Sequence, residues 1–165
     1  MARKNNPALE ALKIRVEELN KQIREESQKL LNVEFVKVFE KFPKLISFSW
    51  PQYTPYFADG DECIFHVNPD SLIPDFTDES AEDSDFEYEK KDSEFVNVGG
   101  KWQTTKLEVS PEKALNNEAY DEIYEIISSI DDQTMKEIYG DHVKVSITKN
   151  EDGGITASTE EYEHD

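Results

Sequence analysis

The chain has 165 residues, with 18 Lys+Arg against 37 Asp+Glu and a formal net charge of −19. That length fits one domain, since domains run to about 100–200 residues. It is long enough to bury about 70% of the unfolded surface without a metal or disulfide. No apolar run approaches the roughly 18 residues of a membrane span.

The start MARKNNPALEALK has no apolar signal-peptide core. The one cysteine, Cys63, cannot form an internal disulfide, so a reducing cytoplasm is the expected location. The charge is uneven. Residues 1–44 hold ten Lys+Arg and seven Asp+Glu, a net of +3, whereas residues 45–165 hold eight and thirty, a net of −22. Residues 70–94 carry eleven acids and two lysines, and residues 151–165 carry six acids and no base. Such a surface repels nucleic-acid phosphates and anionic membranes and attracts a basic protein surface or cations. The competing explanation is solubility alone, the usual meaning of charge runs.

Asn5, Asn6 and Pro7 read as a helix start, with Pro where its missing N–H costs nothing. Leu9, Leu12, Val16, Leu19 and Ile23 follow at steps of three and four, the a/d pattern of a packed seam. The stripe continues less regularly through Leu30, Leu31, Phe35, Val38, Phe39 and Phe42, and Pro43 stops it. A helix of about 35 residues would be roughly 50 Å long. Two alternatives stand: a projecting first half that pairs with another helix, or a break near Asn32 with both pieces on one core.

LISFSW (Leu45–Trp50) alternates as a strand, with Leu45, Ser47 and Ser49 on one face and Ile46, Phe48 and Trp50 on the other. Residues 51–61 read as a shaped aromatic loop, and Glu62–Val67 as a returning strand with Cys63, Phe65 and Val67 facing one way. Residues 68–94 have no period and too little apolar content to order themselves. Gly99 and Gly100 punctuate the approach to Trp102. Ser110-Pro111 starts a helix whose apolar face is Leu115, Tyr120, Ile123, Ile126, Ile127 and Ile130. Asp131 caps a short helix that ends at Gly140. Val143, Val145 and Ile147 alternate, turn at residues 150–154 and return through Ile155–Thr159 as a hairpin.

The expected fold class is α+β: a long N-terminal helix and a small antiparallel sheet built from two hairpins, with helices packed on it. The expected parts are a helical arm at 1–43, a compact domain at 44–159 with an acidic loop at 69–95, and a frayed acidic tail at 160–165.

The densest set of unusual side chains is Trp50, Gln52, Tyr53, Tyr56, Asp59, Asp61 and Glu62, with His66 beyond them. Trp50, Gln52, Tyr53, Asp59, Asp61 and Glu62 form a candidate ligand or cation site, because neighbouring acids bind cations or shift one another's pKa. Asp59-Gly60-Asp61 is equally a common tight turn, and an EF-hand needs more oxygen ligands than this stretch offers. His66, His142 and His164 lack metal-ligand spacing, so no metal site is nominated. Cys63 and His66 point to opposite faces of a strand, which disfavours a nucleophile pair. Nucleotide-binding and α/β-hydrolase signatures are absent from the sequence, so no cofactor and no catalytic residue is nominated.

The string Trp50-Pro-Gln-Tyr-Thr-Pro-Tyr-Phe-Ala-Asp-Gly-Asp61 resembles one in small, uncharacterised proteins of tailed bacteriophages and some bacteria. The resemblance covers about twenty residues, Phe48 through Val67. It implies a cytosolic protein, made in the host cytoplasm during phage infection, and attaches no activity.

Three functions are expected in turn. The first is an acidic interaction module that binds, and by DNA mimicry inhibits, a basic nucleic-acid-binding partner through Asp75, Asp78, Glu79, Glu82, Asp83, Asp85 and Glu87. The second is a small enzyme or ligand-binding protein using the Trp50–His66 region. The third is an assembly protein that forms a homo-oligomer through Leu9, Leu12, Val16, Leu19 and Ile23.

Overall fold

Asn6 sets the start of the first helix, its side-chain oxygen accepting from the Ala8 N–H at 3.0 Å, the usual way of satisfying an orphan donor there. A computed structural model describes residues 6–57, 59–76, 93–106 and 111–164. Helix α1 (Pro7–Lys41) runs for 35 residues without a break at Asn32, about 50 Å at 1.5 Å per residue. Its buried residues are Leu31, Phe35, Val38 and Phe39, all in the last third. Residues 31–42 therefore belong to the core, and the exposed arm ends near residue 30 rather than 43.

Phe42 closes the helix and accepts a hydrogen bond from Leu45 N at 3.0 Å, turning the chain into strand β1 (Leu45–Tyr53). β1 is longer than expected, taking in Pro51, Gln52 and Tyr53 from the stretch read as loop. Its register shifts between Leu45 and Ser47. That irregularity lets Leu45 and Phe48 both face the core and leaves Ile46 exposed, reversing the expected sides of Leu45 and Ile46. The returning strand shrinks to β2 (His66–Val67). A short 3-10 turn (Pro69–Ser71) leads to β3 (Ile73–Phe76), an ordered strand in a region expected to have none. Backbone pairing to β1 supplies the order that the composition does not.

Strands β4 (Ser93–Val98) and β5 (Lys101–Lys106) form a separate two-stranded ribbon around Gly99-Gly100. Both glycines have positive φ, the requirement of the mirror-image hairpin turns. Helix α2 (Pro111–Ser129) buries Ala119, Ile123 and Ile127, while Leu115, expected on the same face, is exposed; Ser110 lies outside the described residues. Asp131 caps α3 (Asp132–Tyr139), accepting from Thr134 N at 3.0 Å, and Gly140 ends it with φ 99°. β6 (Val143–Lys149) and β7 (Ile155–Glu161) form the expected hairpin.

The main sheet runs β2-β1-β6-β7, with β3 on the same edge of β1 as β2. Cross-strand register lines up Phe48 with Ile147 and Trp50 with Val145, all buried on the helix-covered face. Phe35 meets Phe48 edge-on at 5.1 Å, and Tyr139 meets Trp50 edge-on at 5.5 Å. On the other face Ser49, Ser146 and Ser158 line up, as do Ser47, Thr148 and Thr156. One face apolar and one polar is what an antiparallel sheet covered on one side requires. The fold is α+β.

Candidate functional site

Two regions stand apart from the core: a cluster of aromatic rings and histidines at one end of the sheet, and the unpacked face of α1.

The first is built by the ends of three strands. Asp141 follows Gly140 and ties the segment after β1 to the segment before β6. Its carboxylate accepts from Thr54 N at 2.7 Å, Thr54 Oγ1 at 2.6 Å and His142 N at 2.8 Å, and Lys136 Nζ lies 3.3 Å away. Burial pushes the Asp141 pKa up, but the Thr54 hydrogen bonds, helped by Lys136 and the His142 N–H, outweigh it and hold the group down at about 2. His142 takes φ 53°, uncommon for a residue with a Cβ. Its carbonyl accepts from Tyr162 N at 2.8 Å.

That last bond continues the β6–β7 pairing beyond Glu161, so the tail expected to fray from Glu160 is docked through His164. The His164 ring stacks on Tyr53 at 3.8 Å and on Tyr56 at 4.4 Å. His142 Nδ1 and His164 Nε2 lie 2.8 Å apart in nearly coplanar rings, 4° between planes. Such a bond needs one donor and one acceptor. His164 Nδ1 is buried without a partner, so a proton there would be an orphan donor. The favoured arrangement has His164 Nε2–H donating to His142 Nδ1. The cluster is a clasp: rings and one shared proton hold the end of the chain against Tyr53 and Tyr56.

Of the six residues nominated as a ligand or cation site, Trp50 and Gln52 are fully buried core. Gln52 Oε1 accepts from Trp50 Nε1 at 3.2 Å, and its Nε2 donates to Met135 O at 3.0 Å and Gly140 O at 2.7 Å. Neither side chain has a polar atom left for a ligand, which corrects their assignment. Tyr53 joins the clasp, while Asp59, Asp61 and Glu62 are exposed on the following loop. Among the described residues no three His, Cys, Asp or Glu side chains are placed to hold a metal ion. His66 pairs with Asp132 at 3.1 Å on the surface.

Of the acids nominated for a basic partner, Asp75 is exposed on β3 opposite Ser47. Asp78, Glu79, Glu82, Asp83, Asp85 and Glu87 lie outside the described residues. The clasp was not legible in advance. His142 and His164 are 22 residues apart, and only the strand register brings them together.

The second region is the seam itself. Leu9, Leu12, Val16, Leu19 and Ile23 are all exposed, joined by Leu30 and Val33, with 41–58% of each residue accessible. With Leu9 at position a, these seven occupy successive a and d positions through Val33, and the series is interrupted only by Glu26. Ile14 is the one other large apolar residue exposed on α1, and it lies off the seam. Ion pairs three or four residues apart run along the arm, among them Glu10–Lys13, Arg15–Glu18, Lys21–Glu25 and Glu26–Lys29. Among the described residues no helix is long and apolar enough to cross a membrane.

Comparisons with protein-family models, with curated proteins and with solved structures find no match to this chain.

Proposed function

We propose that the protein works by association: α1 joins two copies through its exposed seam, and each copy carries an acidic body that engages a basic protein partner. The supporting observation is the seam. About 24 residues of α1 project beyond the core with six a/d aliphatic residues half-exposed, and Val33 continues the exposed row at the edge of the core. Most helical stability comes from packing an apolar face, and isolated helices are marginal in water. The surface ion pairs of the arm add little. A second helix on the seam supplies what is missing, at about 1 kcal/mol for each half-exposed Leu, Ile or Val that becomes buried.

The test is sedimentation of the full chain beside a chain lacking residues 1–28, which keeps every core residue of α1. The expected outcome is a dimer for the full chain and a folded monomer for the truncated one. A second variant, Leu19→Asp, places a charge in the seam and should give a monomer of unchanged body stability. A full chain that is monomeric at micromolar concentration overturns the reading.

The acidic body rests on the net of −22 over residues 45–165. Part of that charge is neutralised internally. Lys41 pairs with Glu118 at 2.9 Å and with Glu122, and Lys44 pairs with Glu112 at 3.0 Å. The ordered acids of α2 thus partly serve α1, so the partner surface is the remainder, and this favours a general basic partner over a regular phosphate mimic. Binding should weaken steeply between low and physiological salt, because exposed charges are screened within about 10 Å at 0.1 M. Salt-independent binding would count against it.

A further inference from the structure

We infer that the two arms pair antiparallel, each seam laid head to tail on the seam of a second copy, so that the acidic bodies sit at opposite ends of the paired helices. This rests on the association proposed above and adds its direction and register. Two features of the chain, independent of each other, select it.

The first is Glu26. It occupies the only a/d position between Leu9 and Val33 that is not aliphatic. In a parallel pair every d residue faces its own copy, so Glu26 would face Glu26 across the seam, a like-charge contact in a partly desolvated site. In an antiparallel pair a faces d. The register that uses all seven aliphatic residues sets Leu9 level with Val33 of the second copy, Leu12 with Leu30, and Leu19 with Ile23. It sets Glu26 level with Val16 of the second copy. Lys13 of that copy then lies within one turn, on the same flank of the seam, and supplies the opposite charge. Lys13 and Glu26 are both exposed in the single chain, so neither must leave a buried partner.

The second is the charge asymmetry. Residues 1–44 net +3 and residues 45–165 net −22. Parallel arms bring two bodies of −22 side by side, within a Debye length of about 8–10 Å. In the antiparallel register Leu31, where the body begins to cover α1, lies about 20 residues along the axis from its equivalent in the second copy, roughly 30 Å. Repulsion across that separation is screened.

The outcome is a two-ended assembly, with one acidic body at each end of a short helical pair. Disulfide trapping tests the direction. In a Cys63→Ser background, Leu12→Cys alone should form no disulfide with itself, because the two Leu12 positions are about 27 Å apart along the axis. Mixing Leu12→Cys with Leu30→Cys protein should give a covalent dimer of the two different chains under mild oxidation. Self-disulfide of Leu12→Cys in a sample that sediments as a dimer means parallel arms, which overturns this inference and leaves the association standing. A monomer overturns both. Trapping of Leu12→Cys with Ile23→Cys, but not with Leu30→Cys, would keep the direction and overturn the register.

Discussion

Gln52 Nε2 donates to the carbonyl of Gly140 at 2.7 Å, joining the middle strand of the sheet to the residue that ends α3. The same amide nitrogen donates to Met135 O at 3.0 Å, and the amide oxygen accepts from Trp50 Nε1 at 3.2 Å. Helix ends leave carbonyls without partners, and this buried glutamine gives the carbonyl just beyond α3, that of Gly140, a donor while also reaching back to the helix at Met135 O. It also fixes the Trp50 ring, against which Phe48 and Tyr139 pack.

Replacing Gln52 by Leu keeps the volume and removes all three bonds. Trp50 Nε1 would then be buried without a partner, and the Gly140 carbonyl would lose its donor, at about 1–3 kcal/mol for each group left wholly unsatisfied. The expected loss is about 3 kcal/mol in urea unfolding, or roughly 6–12 °C in Tm for a chain of this size. A loss below about 1 kcal/mol would mean that water replaces the amide and that Gln52 does not hold α3.

Asp141 gives the protein an acid-sensitive window. Its folded pKa lies at about 2 against an ordinary 3.8. A group depressed in this way stabilises the fold above its unfolded value, and its contribution drains away as pH falls from about 4 through 2. The difference between the two values corresponds to about 2 kcal/mol at neutral pH. Asp141→Asn should therefore be less stable at pH 7 by about that amount and should show a flatter stability profile between pH 4 and 2. Parallel profiles for the two proteins over that range would place the acid sensitivity elsewhere.

Much of the fold is legible from residues alone because the relevant signals are local. Asn6-Pro7, Asp131 and Gly140 mark helix ends through their own hydrogen-bonding and φ preferences, and Val143–Ile147 alternates with its turn beside it. What escapes is whatever depends on pairing between distant segments. β3 forms in an acidic, aperiodic region because β1 offers it an edge. Ile46 turns outward because the register shifts beside it. Trp50 and Gln52, singled out as a site for their unusual types, are unusual because a buried indole N–H needs a buried acceptor. The arm is the converse case: its a/d spacing is plain in the sequence, and the fold adds only that the seam stays exposed among the described residues.

Tyr139 is expected to be improved by losing an oxygen. The residue is 8% exposed, and its hydroxyl is buried with no hydrogen-bond partner. Burial pushes its pKa up to about 12, so the hydroxyl stays protonated under ordinary conditions. Tyr139→Phe keeps the edge-on contact with Trp50 and removes the unpaired group. Stability should rise by about 1 kcal/mol. A fall instead would reveal a partner, such as an ordered water, for the hydroxyl.

The clasp makes the end of the chain part of the fold. Removing residues 162–165 takes away the Tyr162 N to His142 O bond, the His142–His164 bond and the rings stacked on Tyr53. A stacked aromatic pair contributes about 0.5–1.5 kcal/mol beyond its buried area, and a hydrogen bond about 1 kcal/mol. The deletion should therefore cost about 3–5 kcal/mol and weaken the near-ultraviolet circular dichroism of Tyr53 and Tyr56. His164→Phe separates the two contributions, because it keeps a flat ring between the tyrosines and removes only the nitrogen pair. Its expected cost is about 1 kcal/mol with the tyrosine signal retained. If the deletion leaves both stability and signal unchanged, the last residues do not hold the two tyrosines, and His142 keeps its left-handed backbone through Asp141 alone.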